Sequence, residues 1–173
     1  ASAAFPREYK LALDAAQFHV SLGLLDRAHG RFAEACARAG SRHADPYRLY
    51  AQFEMENGYY SEAQSILYSG AMTLSDTRRS DASNRRGLAE LFLTWAICEW
   101  RLNSFSRAES LFQFALDELA SSEDDGSKLR SFILYAVARF EYYREEPRRA
   151  QHFVGLCLKE NALIGGNARV WEL

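Results

Sequence analysis

One sequence pattern occurs four times along this chain and restricts its fold more than any other feature. Each copy has a small residue, an aromatic residue or Cys two positions later, and usually a Glu directly after it. An Ala follows nine residues after the Glu position, and an apolar pair lies three and four residues beyond that Ala. These Ala residues, the anchor alanines, are Ala28, Ala63, Ala108 and Ala150. Their separations, 28 to 63, 63 to 108 and 108 to 150, are 35, 45 and 42 residues, which is typical of stacked helical hairpins.

A helical hairpin of this size has an apolar stripe that only neighbouring hairpins can cover. The pattern therefore predicts an all-α fold, an α-solenoid of about four stacked antiparallel helix pairs in one domain, 1–173. The predicted repeats are approximately 6–40, 44–74, 84–120 and 128–160. Residues 168–173 resemble the start of a fifth repeat, in which Trp171 takes the place of Tyr50, Trp95 and Val137.

The apolar residues recur at steps of three and four, which predicts helices with one buried face. In the first helix this buried stripe is predicted to include Tyr9, Leu11, Leu13, Phe18 and Leu22. The segment 75–84 is rich in Ser, Asp, Thr and Arg and is predicted to be a surface loop between the second and third repeats.

The overall charge is nearly balanced. The 173 residues include 21 Lys and Arg and 23 Asp and Glu, a formal net charge of −2, so no global field recruits nucleic acid or anionic lipid. Cys36, Cys98 and Cys157 are odd in number and lie at apolar helix positions, which favours reduced core thiols in an intracellular compartment. No apolar run of 18 residues occurs, so no membrane span is expected, while peripheral association with a membrane complex stays open.

The best-matched copies resemble the half-a-tetratricopeptide (HAT) family. Its repeat has an aromatic residue and Ala, then an aromatic-Glu pair, a Gly-like turn, an anchor Ala and an apolar pair. The second copy matches almost completely, with Tyr50-Ala51-Gln52-Phe53-Glu54 followed by Gly58 and Ala63. The third copy, Trp95-Ala96-Ile97-Cys98-Glu99, is nearly as good, whereas the first departs at Ala15, His19 and Arg31 and the fourth at Val137 and Glu145. The resemblance implies a scaffold in RNA processing or in organellar assemblies, including those of chloroplasts.

No catalytic constellation is apparent in the sequence. Glu54, Glu99 and Glu141 recur at one position, but stacked repeats should place them about 10 Å apart, each with a polar partner on a neighbouring helix. The four His residues form no metal-ligand motif, and no glycine-rich phosphate loop occurs. We therefore expect no enzymatic activity, no cofactor and no metal.

Two groups of residues are candidates for partner binding. Arg side chains can bind phosphate or carboxylate and stack on bases, so two Arg clusters are candidate contacts to RNA or to an acidic partner. They are Arg78, Arg79, Arg85 and Arg86 in the predicted loop, and Arg144, Arg148 and Arg149 near the fourth hairpin turn. Aromatic residues beyond the number that the core needs are candidate protein contacts. They are Tyr59, Tyr60, Tyr68, Trp100, Tyr142, Tyr143 and Trp171.

Two functional hypotheses follow. The first is a non-catalytic scaffold that holds other protein subunits together in a larger assembly. The second is direct binding of single-stranded RNA along an Arg-bearing face, which the neutral net charge disfavours because RNA affinity draws on phosphate neutralisation. The nucleus, the chloroplast and the mitochondrion all remain possible locations. Whether Ala1 follows a cleaved targeting peptide and whether the protein continues past Leu173 also stay open.

Overall fold

The protein is an array of antiparallel helices packed in chain order. The structure, a computed structural model, describes residues 8–75, 82–120 and 127–163. Within these ranges the helices are α1 (Glu8–Ser21), α2 (Leu25–Ala39), α3 (Asp45–Glu56), α4 (Tyr60–Ser75), α5 (Ala82–Arg101), α6 (Phe105–Leu119), α7 (Ser127–Tyr143) and α8 (Pro147–Leu163). They form four hairpins, α1–α2, α3–α4, α5–α6 and α7–α8, and the prediction of an all-α solenoid is confirmed.

All four hairpins use the same turn. The residue five positions before each anchor alanine has a left-handed backbone, with φ of 70°, 84°, 58° and 61° in chain order. These residues are Gly23, Gly58, Asn103 and Glu145. In every hairpin the next backbone N–H donates to the carbonyl of the residue at the Glu position, at 2.9, 2.8, 2.9 and 3.0 Å. This six-to-one hydrogen bond ends the first helix and aims the chain into the second.

We expect the anchor alanines to lie where the two helices of each hairpin cross, because all four are buried. Ala28, Ala63 and Ala108 are fully buried and Ala150 is nearly so. Close approach also depends on Gly70 of α4, where an added Cβ would lie 2.7 Å from Cγ of Tyr47 in α3. Small residues therefore set the separation of the helices within a hairpin.

The core runs through the array in three clusters that share helices. One cluster joins α1, α2 and α3 around Phe32 and Phe53, and a second joins α3, α4 and α5 around Leu67 and Leu91. The third joins α5, α6 and α7 around Phe112, with Phe153 of α8 packed against it. Each hairpin thus completes the apolar stripe of its neighbour.

Two predictions about local structure were wrong. Arg85 and Arg86 do not belong to a loop, because α5 already begins at Ala82; Arg78 and Arg79 lie outside the described residues. In α1 the predicted stripe is only partly buried: Tyr9 and Leu13 are in the core, whereas Leu11 and Phe18 are 71% and 61% exposed. Their counterparts in later repeats are buried by the preceding hairpin, and α1 has none before it in the described chain.

Candidate protein-interaction site

A buried carboxylate marks each of the three junctions between hairpins. Glu54, Glu99 and Glu141 are all nearly inaccessible to solvent. At each junction the carboxylate meets the side chain that directly follows the anchor alanine of the preceding hairpin, either directly or through a bridging Arg. These side chains are His29, Gln64 and Glu109. These three Glu residues therefore join successive hairpins, and each has a different polar partner.

The first two junctions are direct hydrogen bonds. Nδ1 of His29 lies 2.8 Å from Oε1 of Glu54, and the Tyr50 hydroxyl lies 2.9 Å from the same ring nitrogen. Glu99 accepts hydrogen bonds from Nε2 of Gln64 at 2.7 Å and from Nε1 of Trp95 at 3.1 Å. A buried carboxylate requires such donors because its desolvation is otherwise costly.

The third junction contains two carboxylates and two guanidinium groups. Arg149 lies 3.0 Å from Oε1 of Glu141 and also donates to Glu109, while Arg144 lies 3.5 Å from Glu141 and 3.3 Å from Glu109. Burial raises the pKa of Glu141, although both Arg residues act in the opposite direction. The hydrogen bond from Arg149 lowers the pKa of the more exposed Glu109. The two positive and two negative charges balance locally. Two of the candidate Arg residues, Arg144 and Arg149, are therefore engaged inside the protein.

The other candidate Arg residues are not brought together with this cluster. Arg86 lies on α5, 3.4 Å from Oε1 of Glu90, one turn further along the helix. Arg85 is half-buried on the same helix, and Arg148 is exposed at the start of α8. In the described chain the predicted Arg residues thus fall into separate environments and do not form one continuous basic stripe.

The candidate aromatic residues fall into two groups, one at the second hairpin, where Tyr59 and Tyr68 are exposed, and one where the end of α5 meets the fourth hairpin. Tyr142 is 76% exposed and Tyr143 is also exposed. Trp100 of α5 is half-buried, with its ring centroid 5.6 Å from that of Phe140 and 5.7 Å from that of Tyr143. Tyr59 is exposed at the second hairpin turn, Tyr60 packs on the core, and Trp171 lies outside the described residues.

Trp100, Tyr142 and Tyr143 line a cleft of about 970 Å³ formed by α7, α8 and the end of α5. Tyr135, Tyr142 and Val154 form its apolar walls, and Arg139 and Gln151 supply polar groups. The Arg139 guanidinium lies 6.0 Å from the Tyr135 ring centroid, within cation–π distance. The arrangement can bind an apolar or aromatic side chain that carries a hydrogen-bonding group.

Sequence reasoning missed the aliphatic part of this surface. Val154 and Leu158 of α8 are 43% and 55% exposed, although their spacing predicts burial. The corresponding side chains in earlier hairpins are covered by the next hairpin. The signal that could have identified them is their position in the last complete copy of the pattern.

No group of three or more potential metal ligands occurs in the described ranges. None of the helices that the structure describes is both long and apolar enough to cross a membrane. None of the three cysteines forms a disulfide. Burial raises the pKa of Cys36 to about 12 and, as the main cause, that of Cys98 to about 11, so both resist ionisation.

The fold and this surface define a helical-repeat protein. No protein-family profile and no curated protein matches the sequence. Among solved structures, the chain is similar to BtubC (BKLC) from P. vanneervenii, with a TM-score of 0.71 and 12% sequence identity. The match covers 92% of this chain and 65% of BtubC, so the chain spans less than two thirds of that structure. At this identity the similarity concerns the fold alone.

Proposed function

We propose that this protein is a non-catalytic helical-repeat scaffold that binds other protein subunits inside a larger complex. The observation that carries the proposal is the cleft of about 970 Å³ at the fourth hairpin, lined by Tyr135, Tyr142 and Val154. Exposed Tyr and Trp side chains contribute strongly to protein interfaces because they bury a large area with few rotatable bonds. A scaffold also suits an array whose recurring carboxylates are engaged in joining its own hairpins.

Within helical-repeat proteins, we place the chain nearest the HAT type. The combination of an aromatic-Glu pair, a left-handed turn and an anchor alanine supports this placement. Through that resemblance, an RNA-processing or organellar assembly, in the nucleus, the chloroplast or the mitochondrion, is the proposed setting. The protein subunits of that assembly are the proposed partners.

Direct binding of single-stranded RNA is the alternative function. Arg148 and Arg139 favour it, since both are exposed and could contact phosphate or bases. The third junction weighs against it, because Arg144 and Arg149 are already neutralised by Glu109 and Glu141. Releasing either Arg to RNA would remove one of the two counter-charges of the buried Glu141.

Purification of the tagged protein from its source cells tests the scaffold. We expect polypeptides to co-purify with the parent and to be lost from a variant with Tyr142→Ser and Tyr143→Ser. Tyr59→Ser is the matched control, since Tyr59 is an exposed Tyr at another hairpin. Co-purification that both variants retain would contradict the proposed surface.

An RNA-binding measurement tests the alternative. The parent is compared with a variant in which Arg78, Arg79, Arg85 and Arg86 are all replaced by Ser. For a scaffold, RNA affinity is weak and fades between low and physiological salt. Nanomolar affinity at physiological salt that falls a hundredfold in the variant, roughly 3 kcal/mol, would instead establish RNA recognition as the primary function.

A further inference from the structure

The side chains that join hairpins inside the array have counterparts without partners at its last described hairpin. The residue four positions after the anchor alanine is buried in the first three hairpins, as Phe32, Leu67 and Phe112. In the fourth hairpin this residue is Val154, which is substantially exposed. The residue after the Glu position changes in the same way: Met55 is buried and Trp100 half-buried, but Tyr142 is exposed. We call Tyr142, Gln151, Val154 and Leu158 the C-terminal face.

The first hairpin exposes the side chains that, in later repeats, are covered by the preceding hairpin. The residue before the Glu position is buried in the later repeats, as Phe53, Cys98 and Phe140, whereas Phe18 is exposed. The residue eight positions before the Glu position is also buried in the later repeats, as Pro46, Leu91 and Ile133. Its counterpart in α1 is the exposed Leu11. We call Leu11, Phe18 and His19 the N-terminal face.

The internal junctions show which positions of the two faces would meet. Phe53 packs on Phe32 with ring centroids 5.1 Å apart, and Phe140 packs on Phe112 at 5.3 Å. By the same register Phe18 would meet Val154. Leu91 shares a core cluster with Leu67 and Ala71, the residues four and eight positions after their anchor alanine. By that register Leu11 would lie against Leu158.

The polar positions correspond as well. Internal junctions place the residue after the anchor alanine at or near the Glu position of the next hairpin, as in the 2.7 Å hydrogen bond from Gln64 to Glu99. The end positions are Gln151, which is exposed, and His19. Nδ1 of His19 is buried without a hydrogen-bond partner in the described part of the chain. A Gln side chain can either donate to or accept from an imidazole nitrogen.

We propose that the N-terminal face of one molecule stacks on the C-terminal face of a second copy, so that the repeat array continues across molecules. The proposal rests on the proposed function and names one partner of its surface. The two faces differ, so the contact is heterologous and leaves an unused face at each end of a dimer. Further copies can therefore add, forming an open chain or a closed ring.

The primary test is the mass of the purified protein as a function of concentration, measured by sedimentation equilibrium. We expect the weight-average mass to rise beyond that of a dimer. Phe18→Asp and Val154→Asp should each weaken association at least about tenfold, because each places a charge in one apolar contact. Both positions are partly solvent-exposed, so unchanged circular dichroism and melting temperature should accompany the loss. Phe114→Asp is the matched control on an exposed aromatic of α6 and should associate like the parent.

Mixing the two variants provides the decisive measurement. Phe18→Asp retains a normal C-terminal face, and Val154→Asp retains a normal N-terminal face. An equimolar mixture should therefore form one-to-one dimers and stop there, although each variant alone is monomeric. A symmetric contact predicts no such recovery, because each face would then need an intact copy of itself.

Three outcomes would overturn the proposal. They are a parent that stays monomeric up to millimolar concentration, a dimer that survives Phe18→Asp, and a mixture that stays monomeric. Monomeric parent protein would indicate that the C-terminal face is covered by residues 164–173 of its own chain or by another protein. If the parent were monomeric but the variant with Tyr142→Ser and Tyr143→Ser still lost its co-purifying polypeptides, the scaffold proposal would be supported and only the stacking proposal would be rejected. Stacking with no other polypeptide bound would reject the scaffold and retain the stacking.

Discussion

At the scale of single residues, the four hairpin turns place different side chains in one backbone conformation. Gly23 and Gly58 adopt a positive φ without steric cost, and Asn103 is the next most tolerant residue type. Glu145 is exposed and adopts φ of 61°, a backbone conformation that its Cβ makes unfavourable. The fourth turn is therefore the least stable version of the shared motif.

Glu145→Gly should stabilise the protein because it removes this backbone strain. A left-handed residue with a Cβ costs about 1–2 kcal/mol, partly offset by the greater freedom of glycine in the unfolded chain, so a net gain of about 1 kcal/mol is expected. The midpoint of urea unfolding measures it. Asn103→Gly is the comparison and should gain less. A lower midpoint for Glu145→Gly would show that the side chain contributes contacts that outweigh the strain.

The two carboxylates of the third junction should respond to pH in opposite directions. Burial raises the pKa of Glu141, so its ionised form costs stability above that pKa, and the cost disappears as the pH falls below the ordinary value of 4.5. Glu141→Gln should therefore raise the melting temperature at pH 7, and the gain should shrink as the pH falls below 4.5.

Glu109 has a lowered pKa, so its stabilising contribution is present above its ordinary value and is lost as the pH falls through the folded value. Glu109→Gln should lower the melting temperature slightly at pH 7, since the side chain is 42% exposed and solvent screens the pair. Melting curves of both variants from pH 3.5 to 7.5 test the pair. Shifts of the same sign at pH 7 would contradict the assignment.

At the scale of the helices, the buried anchor alanines are expected to set the crossing within each hairpin. Ala63→Arg and Ala108→Arg should each unfold part of the array, because the new side chain combines overpacking with an unpaired buried charge, several kcal/mol in total. Ala33→Arg on α2 is the matched control, since Ala33 is exposed. Loss of helical circular dichroism on heating measures the effect. Melting curves equal to that of the control would show that the anchors are not at the crossings.

The helices were the most predictable part of the molecule, and their end faces the least. Periodicity located all four hairpins because burial inside the array repeats in every copy, as at Ala63 and Ala108. The exposure of Phe18 and Val154 could not follow from periodicity, since it depends on whether another hairpin lies beside them. The junction partners were predictable in principle: once the copies are aligned, the residue after the anchor alanine is polar in all four. The bridging role of Arg149 could not be predicted from the sequence, because Glu109 and Glu141 come together only when α6, α7 and α8 are packed.

At the scale of the whole molecule, stability should vary along the array. α3 and α5 each belong to two core clusters. α3 shares one with α1 and α2 and a second with α4 and α5, and α5 shares a further one with α6 and α7. Terminal hairpins of a repeat protein have only one neighbour and open more readily. Hydrogen exchange at a concentration below self-association should therefore be slowest in α3 and α5 and fastest in α1 and α8, the outer helices of the first and last described hairpins. Equal exchange rates in all helices would indicate that the array opens only as one unit.

The polar pairs at the three junctions differ, and this difference affects the order in which the hairpins stack during folding. The pairs are His29 with Glu54, Gln64 with Glu99, and Glu109 with Glu141 through Arg. Similar repeats in one polypeptide can dock out of sequence during folding, and such misassembly is a characteristic failure of repeat proteins. A hairpin docked in the wrong position would bring its carboxylate against an unsuitable partner, for example Glu54 of the second hairpin against Glu109 of the third, without the Arg residues of the fourth hairpin. Such a mismatch is penalised by repulsion in a dry environment. The polar junctions thus favour one stacking order of the hairpins, although the apolar surfaces alone would fit in several orders.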